Sequence, residues 1–168
     1  MAYTYSKIAT YTVGSGGIPS VSFLNIPQNY TDLVVKASIR LTGSGSPGFG
    51  IYFNGSTSNF SGKGLYGTGT SALSFNATTA NSATANSSSQ TANTFTNSEW
   101  YVPNYTSSNF KSYSVDSVME NNATAAYQDL DAMLWSQTAA ITSISVTSSS
   151  PGFAQYSTFH LYGIKAEL

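Results

Sequence analysis

Two closely spaced aspartates are the strongest candidates for metal ligands or catalytic carboxylates in this chain. Asp129 and Asp131 are two positions apart, so an extended strand places both carboxylates on one face. Such a pair could bind Ca²⁺ if loop carbonyl groups completed the coordination shell, or it could act as the two carboxylates of a glycoside hydrolase. The hydrolase hypothesis lacks an obvious acid partner in an apolar pocket. We therefore expect two solvated aspartates on a polar strand face.

The single histidine, His160, is the next candidate. A Ser-His-Asp arrangement would require it to lie near a hydroxyl nucleophile and a carboxylate. It lies instead in Tyr156–Tyr162, a strand-like stretch with aromatic residues on both sides of the histidine. This context predicts a packed or interface residue, and not a catalytic base.

Aromatic side chains offer a third kind of site. Trp100, Trp135 and the 12 tyrosines could form a platform for a sugar ring, so carbohydrate binding is retained as a hypothesis. In a chain this rich in aromatic residues, we expect most of them to lie in the core or at an interface.

The remaining motifs give no cofactor site. Gly62–Gly67 is rich in glycine but lacks the strand–turn–helix setting of a phosphate-binding loop. The chain has no cysteine, which excludes disulfides, thiolate nucleophiles and zinc–cysteine sites. We therefore assign no catalytic, cofactor-binding or metal-binding residue, and the sequence predicts a protein that is not an enzyme.

Charge is scarce throughout the chain, and this constrains its partners. Only 8% of residues are charged, the formal net charge is -1, and Lys63 is the one charged residue between Arg40 and Glu99. The six basic residues are scattered, which disfavours nucleic-acid binding, because that needs clustered Lys or Arg. No apolar run approaches the length of a membrane span, and Met1–Lys7 lacks the apolar core of a signal peptide. Weak electrostatic repulsion between copies favours a homo-oligomer.

Two-residue alternation predicts the elements that carry these residues. In Leu33–Leu41 the odd positions are apolar, while most even positions are polar, as in a half-buried antiparallel strand. Turn-forming Gly, Asn and Pro clusters separate about ten such short strands. The pattern predicts an all-β fold, an antiparallel β-sandwich of jelly-roll type that forms a single domain over residues 1–168. One alternative stays open: the spacing of Ala126, Leu130 and Leu134 is also compatible with a short helix over 123–134.

One segment is low in complexity. Residues 78–94 consist of small polar residues and alanine, without a large apolar side chain. We expect this segment to be a loop that cannot anchor in a core. It is either mobile or ordered against a neighbouring subunit.

Five segments carry a resemblance to a known group. Residues 26–36, 101–111, 117–126, 134–143 and 157–165 resemble small virion structural proteins of tailed bacteriophages, which occur alone or as modules in fibres. The resemblance covers most of the chain except its low-complexity middle. It implies a β-sandwich component of the particle and supplies no catalytic residues.

The resemblance and the scarcity of charge together favour one function. We expect a non-enzymatic capsid decoration (cement) protein, made in the host cytoplasm and placed on the capsid exterior of the virion. Its expected partners are further copies of itself, with a trimer favoured, and the major capsid protein of the same phage. The alternative is a tail-fibre module or a receptor- or carbohydrate-binding tip. A depolymerase that uses Asp129 and Asp131 is a third hypothesis.

Overall fold

The computed structural model describes residues 3–45, 47–120, 122, 127–149 and 151–166. Every regular element within these ranges is a β-strand. Across the same ranges, no helix has the length and apolar character that a membrane crossing requires.

Twelve strands make up the described structure. Their bounds are β1 Tyr3–Thr12, β2 Ser20–Phe23, β3 Asp32–Ile39, β4 Gly48–Phe53, β5 Phe60–Thr68, β6 Ala72–Ala77, β7 Asn81–Thr84, β8 Thr96–Val102, β9 Lys111–Met119, β10 Tyr127–Trp135, β11 Ile144–Ser148 and β12 Thr158–Ala166. Ten of them fall on the short segments that the sequence predicts as strands from alternation or from β-branched and aromatic residues, whereas β5 and β7 do not.

The strands form two antiparallel sheets of unequal size. The large sheet has the order β1-β12-β3-β8-β9-β10-β5-β6, and the small sheet has the order β2-β11-β4-β7. The prediction of an all-β sandwich is confirmed, while its jelly-roll connectivity stays a prediction. The alternative of a helix is wrong for 127–134, which lie in β10, and 123–126 lie outside the described residues.

Alternating sequence explains how the central strands are buried. Along β9, Tyr113, Val115, Ser117 and Met119 point into the protein and alternate with exposed residues. The inner face of the large sheet, which packs against the small sheet, collects these side chains. Its other face is called the outer face below. Pleating alone places every second side chain on each face.

Aromatic rings fill the space between the sheets. Trp100 of the large sheet meets Phe49 of the small sheet edge-on, with ring centroids 5.6 Å apart. Phe53 lies 5.2 Å from Tyr113 and 5.6 Å from Trp135, also edge-on. Contacts of this kind add about 0.5–1.5 kcal/mol each beyond the burial of their area. They join the two sheets into one hydrophobic cluster.

Lys111 is buried, and its amine is paired with carbonyl oxygens and with no carboxylate among the described residues. The Lys111 side chain is 1% exposed, and its Nζ donates to the carbonyl oxygens of Ser107 at 2.7 Å and Thr138 at 3.4 Å, and also to that of Asn109. Desolvation lowers the pKa of this amine. The lysine thus connects the loop after β8 to the loop after β10.

The low-complexity segment corrects a prediction. Residues 81–84 form β7, which pairs with β4, and Ala80, Ala83 and Ala85 are each at most 5% exposed. The expectation that residues 78–94 cannot enter a core is therefore wrong for this part. Small side chains are what allow the backbone to approach the large sheet closely here.

Polar contacts hold the rest of this segment. Arg40 donates from Nη1 to the carbonyl oxygens of Thr91 at 2.8 Å and Thr94 at 2.9 Å, and from Nη2 to that of Gln90 at 3.1 Å. Asn86 is fully buried, with its backbone N–H 2.8 Å from Thr96 Oγ1, and that hydroxyl donates to Asn86 Oδ1 at 2.9 Å. Contacts within the chain itself therefore hold this segment, through hydrogen bonds instead of large apolar groups.

Candidate functional site

The outer face of the large sheet brings His160 together with three charged residues from neighbouring strands. Strand register places one row of side chains across this face, from β12 through β3, β8, β9 and β10 to β5. The row contains, in order, His160, Lys36, Glu99, Asp116, Leu130 and Leu65. The face is therefore charged at its centre and apolar toward β5.

The charged part forms an open groove of about 430 Å³, lined by Lys36, Asn97, Glu99, Asp116 and His160 among others. Lys36 Nζ lies 2.9 Å from Glu99 Oε2, and the side chains are 50% and 42% exposed. The hydrogen bond to Glu99 is the main reason that the pKa of Lys36 is raised. An exposed pair of this kind contributes about 0–1 kcal/mol to stability. The groove is an open recess in which charged and polar side chains from four neighbouring strands meet.

His160 is half-buried in this groove. Its Nδ1 lies 3.0 Å from Thr10 Oγ1, and its ring centroid lies 6.4 Å from that of Tyr162. Sequence reasoning placed this histidine among aromatic neighbours, and Tyr162 is such a neighbour. The sequence does not show that Lys36, Glu99 and Asp116 line the same groove, because it does not reveal the register of the neighbouring strands.

The apolar part is a group of exposed side chains that we call the leucine patch: Leu65, Leu130 and Val118. Their exposed fractions are 62%, 47% and 40%. Leu65 and Leu130 lie directly opposite each other on β5 and β10, and Val118 lies one strand further on. Lys63 and Asp116 flank the patch, so an apolar centre has charge only at its margin.

Asp129 lies on the inner face, contrary to expectation. It is 8% exposed, and its Oδ2 accepts from the backbone N–H of Thr84 at 3.2 Å and from Thr84 Oγ1 at 3.3 Å. Burial raises the pKa of this carboxyl, while the bonds from Thr84 act in the opposite direction. The carboxyl thus links β10 to β7 of the opposite sheet.

Asp131 is buried more completely and has no such link. It is 5% exposed, and neither carboxyl oxygen has a hydrogen-bond partner among the described residues. Its strand neighbours are Val115 and Gly64, and the Phe75 ring occupies the space over Gly64 beside the carboxyl. Burial, and secondarily the charge of Asp129, raises the pKa of Asp131 to about 7.

The prediction of two solvated aspartates is therefore wrong. Asp129 and Asp131 alternate along β10 with the same two-residue spacing as Met133 and Trp135, so all four side chains point to one face. Because Met133 and Trp135 are buried, the sequence contained the information that the aspartates would be buried too. Calcium requires six to eight oxygen ligands. In the described part of the chain, no group of three or more His, Asp or Glu side chains gathers around a point that could hold a metal. Burial also keeps a polysaccharide from reaching this pair.

The tryptophan platform is likewise corrected. Trp100 is 0% exposed and Trp135 is 2% exposed, so both rings belong to the core and neither can stack on a sugar. The alternative expectation, that these aromatic residues lie in the core, is the one that the structure supports.

Comparisons of the chain with protein-family models, with curated proteins and with solved structures found no match.

Proposed function

We propose that this chain is a non-enzymatic structural protein of a tailed-phage particle, a decoration protein that binds the outside of the capsid shell as a homo-oligomer. In this proposal it is made in the host cytoplasm, and the major capsid protein is its partner on the shell. The leucine patch carries the proposal, because it is an exposed apolar area on the outer face of the large sheet, with charged side chains only at its margin. The assignment to a phage particle rests on the resemblance of the chain to virion proteins of tailed bacteriophages.

The energetics of the patch support docking of protein on this face. Complete burial of a leucine or valine side chain contributes about 1.5–3 kcal/mol, so covering three half-exposed side chains would contribute several kcal/mol. The neighbouring positions are mostly Gly, Ala, Ser and Gln, and these are less costly to desolvate than charges. An apolar centre with charge at its rim is the usual anatomy of a protein interface.

Binding to shells tests the proposal. Purified protein should co-sediment with capsid shells that lack it, and the double variant Leu65→Ser, Leu130→Ser should bind at least about tenfold more weakly, since tenfold corresponds to about 1.4 kcal/mol. The control is Leu24→Ser, which removes a leucine that is 68% exposed and lies outside the large sheet. Equal binding by the double variant, or no binding by the natural chain, would contradict the proposal.

The polar groove supports a second candidate, the receptor- or carbohydrate-binding tip of a tail fibre. Carboxylate, ammonium, amide and imidazole groups in one recess could form hydrogen bonds with sugar hydroxyls. A glycan array and adsorption of the purified protein to host cells separate the two candidates. Binding that is lost in Asp116→Asn and retained in Leu65→Ser would favour the fibre tip.

A further inference from the structure

Strand β6, Ala72–Ala77, is the last strand of the large sheet and pairs there with β5 alone. Its sequence, Ala-Leu-Ser-Phe-Asn-Ala, contains no charged residue and no proline, and its register with β5 has no bulge. The side of β6 that faces away from β5 therefore forms a regular, uncharged sheet edge of backbone N–H and C=O groups. Such an edge is a template for pairing with another strand.

The other sheet edges are protected in ways that β6 is not. The opposite edge of the large sheet, β1, has a register shift between Lys7 and Ala9 and carries the lysine beside it. In the small sheet, β2 has four residues and follows Pro19, and β7 has a register shift and packs against β9 and β10. Bulges, lysines, prolines and short strands are the features that prevent edge-to-edge association.

We propose that the β6 strands of two copies pair antiparallel about a two-fold axis, so that the large sheets of both copies become one continuous sheet. The occupant is a second copy because the strand is complementary to itself. No charge on β6 would meet a like charge, and the nearest cation, Lys63 on β5, is hydrogen-bonded to Asn76. A two-fold contact uses the same surface on both partners, and a neutral strand meets that requirement.

Apolar side chains beside this edge would be covered by the pairing. Leu73 is 44% exposed on the inner side of β6. Phe75 on the same side is half-buried, with its ring centroid 5.9 Å from that of Tyr66. In the paired arrangement, Leu73 and Phe75 of one copy would lie beside the same residues of its partner, since paired strands align side chains on a common face.

The size of the edge sets the strength of the contact. Six residues span about 20 Å, so the buried area falls below the roughly 1,200 Å² of a standard stable interface. The pairing is therefore weak in dilute solution and strengthens when copies are held close together. In that respect the inference rests on the proposed function, because a shell would supply an effective concentration in the millimolar range. The two-fold contact would link neighbouring oligomers, whatever their own symmetry.

Cysteine scanning tests the pairing directly, because the natural chain has no cysteine. Single cysteines are placed at each position from 73 to 76 in the full chain, which is then oxidised mildly at millimolar concentration without shells. In an antiparallel pair about a two-fold axis, one position lies opposite itself at a Cα separation that a disulfide can span. We expect one position to give mostly covalent dimer. Thr12→Cys, an exposed position on β1, should give no disulfide-linked dimer.

A second test of the pairing introduces a charge at the β6 edge. Ser74→Lys places a charge at an exposed position of β6, and we expect at least tenfold weaker self-association in sedimentation equilibrium, with an unchanged circular dichroism spectrum. Thr12→Lys is the matched control and should associate like the natural chain.

Three results would be decisive. No disulfide dimer at any of the four positions overturns the inference. If the natural chain shows no self-association at millimolar concentration, the inference is overturned, whatever Ser74→Lys does to shell binding, because Ser74 lies opposite Leu65 of the leucine patch. Covalent dimers without any binding to shells would support the inference and contradict the proposed function.

Discussion

Two neighbouring regions invert the usual relation between polarity and burial. Residues 83–87 are small or polar, yet all of them except the half-buried Thr84 lie in the interior, where Asn86 and Ser87 are both 0% exposed. The β5–β6 hairpin carries Leu65 and Leu73, yet both side chains are 44% exposed or more. Hydrogen-bond partners and position in the sheet therefore decide what is buried here. Hydrophobicity alone would rank the two regions in the opposite order.

Asp131 lies on β10, beside the Phe75 ring of β6, and the largest expected effect concerns this residue. Its ordinary pKa is 3.8 and its folded pKa is about 7, so between these values the unfolded chain releases a proton that the folded chain keeps. The free energy of unfolding should therefore fall as pH rises from about 4 to 7, by at most about 4 kcal/mol from this group. Asp131→Asn should remove this part of the fall. Urea unfolding at several pH values measures it.

Two neighbours of Asp131 bear on that measurement. Asp129 also has a raised pKa and remains in the variant, so a smaller fall of the same sign should persist. Tyr113, whose pKa is raised by burial and by the charge of Asp131, titrates well above this pH window. Equal pH slopes for the natural chain and Asp131→Asn would show that Asp131 is ionised in the folded protein at acidic pH.

The same substitution at two asparagines tests the comparison itself. Asn86→Leu would leave the hydroxyls of Thr94 and Thr96 and the carbonyl of Glu120 without their amide partner. Each unpaired buried group costs about 1–3 kcal/mol, so we expect a loss of about 3 kcal/mol in the free energy of unfolding. Asn76→Leu, at an exposed position of β6, should change it by less than about 0.5 kcal/mol. Similar losses at the two sites would remove the distinction between the regions.

The smallest expected effect is at Leu65. Leu65→Ala should alter the free energy of unfolding by about 0.5 kcal/mol or less, because the side chain is 62% exposed in the folded state. Leu33→Ala removes a leucine that is 0% exposed and should cost about 2–5 kcal/mol. Thermal denaturation of both variants measures the difference. A large loss at Leu65 would mean that the patch is already covered in the purified protein, for example by another copy.

Alternation in the sequence predicted most of the strands, because a half-buried strand records its two faces in the order of its residues. It missed β5, a glycine-rich stretch that contains Gly62 and Gly64. In the structure, both glycines lie within the strand. A Cβ at Gly62 would collide with Met133, and one at Gly64 would collide with Phe75 and Asp131. These glycines provide space for side chains of the neighbouring strands, and only the strand register reveals that requirement.

The candidate site was less predictable than the fold. His160, Lys36, Glu99 and Asp116 are far apart in the sequence, and they form a groove only because β12, β3, β8 and β9 are adjacent in the sheet. Strand order depends on long-range pairing, which local patterns do not encode. The burial of Asp129 and Asp131 could have been predicted, since both lie on the same face of the strand as Trp135.

The enclosed amine of Lys111 has a practical consequence. Lys7, Lys36, Lys63 and Lys165 are exposed, so acylating reagents used for dye or polymer conjugation would modify these four and spare Lys111 while the sandwich stays closed. Modification at Lys111 in a peptide mass map would therefore mark molecules that have opened. The extent of modification at Lys111 therefore reports the fraction of unfolded molecules in a preparation of this protein.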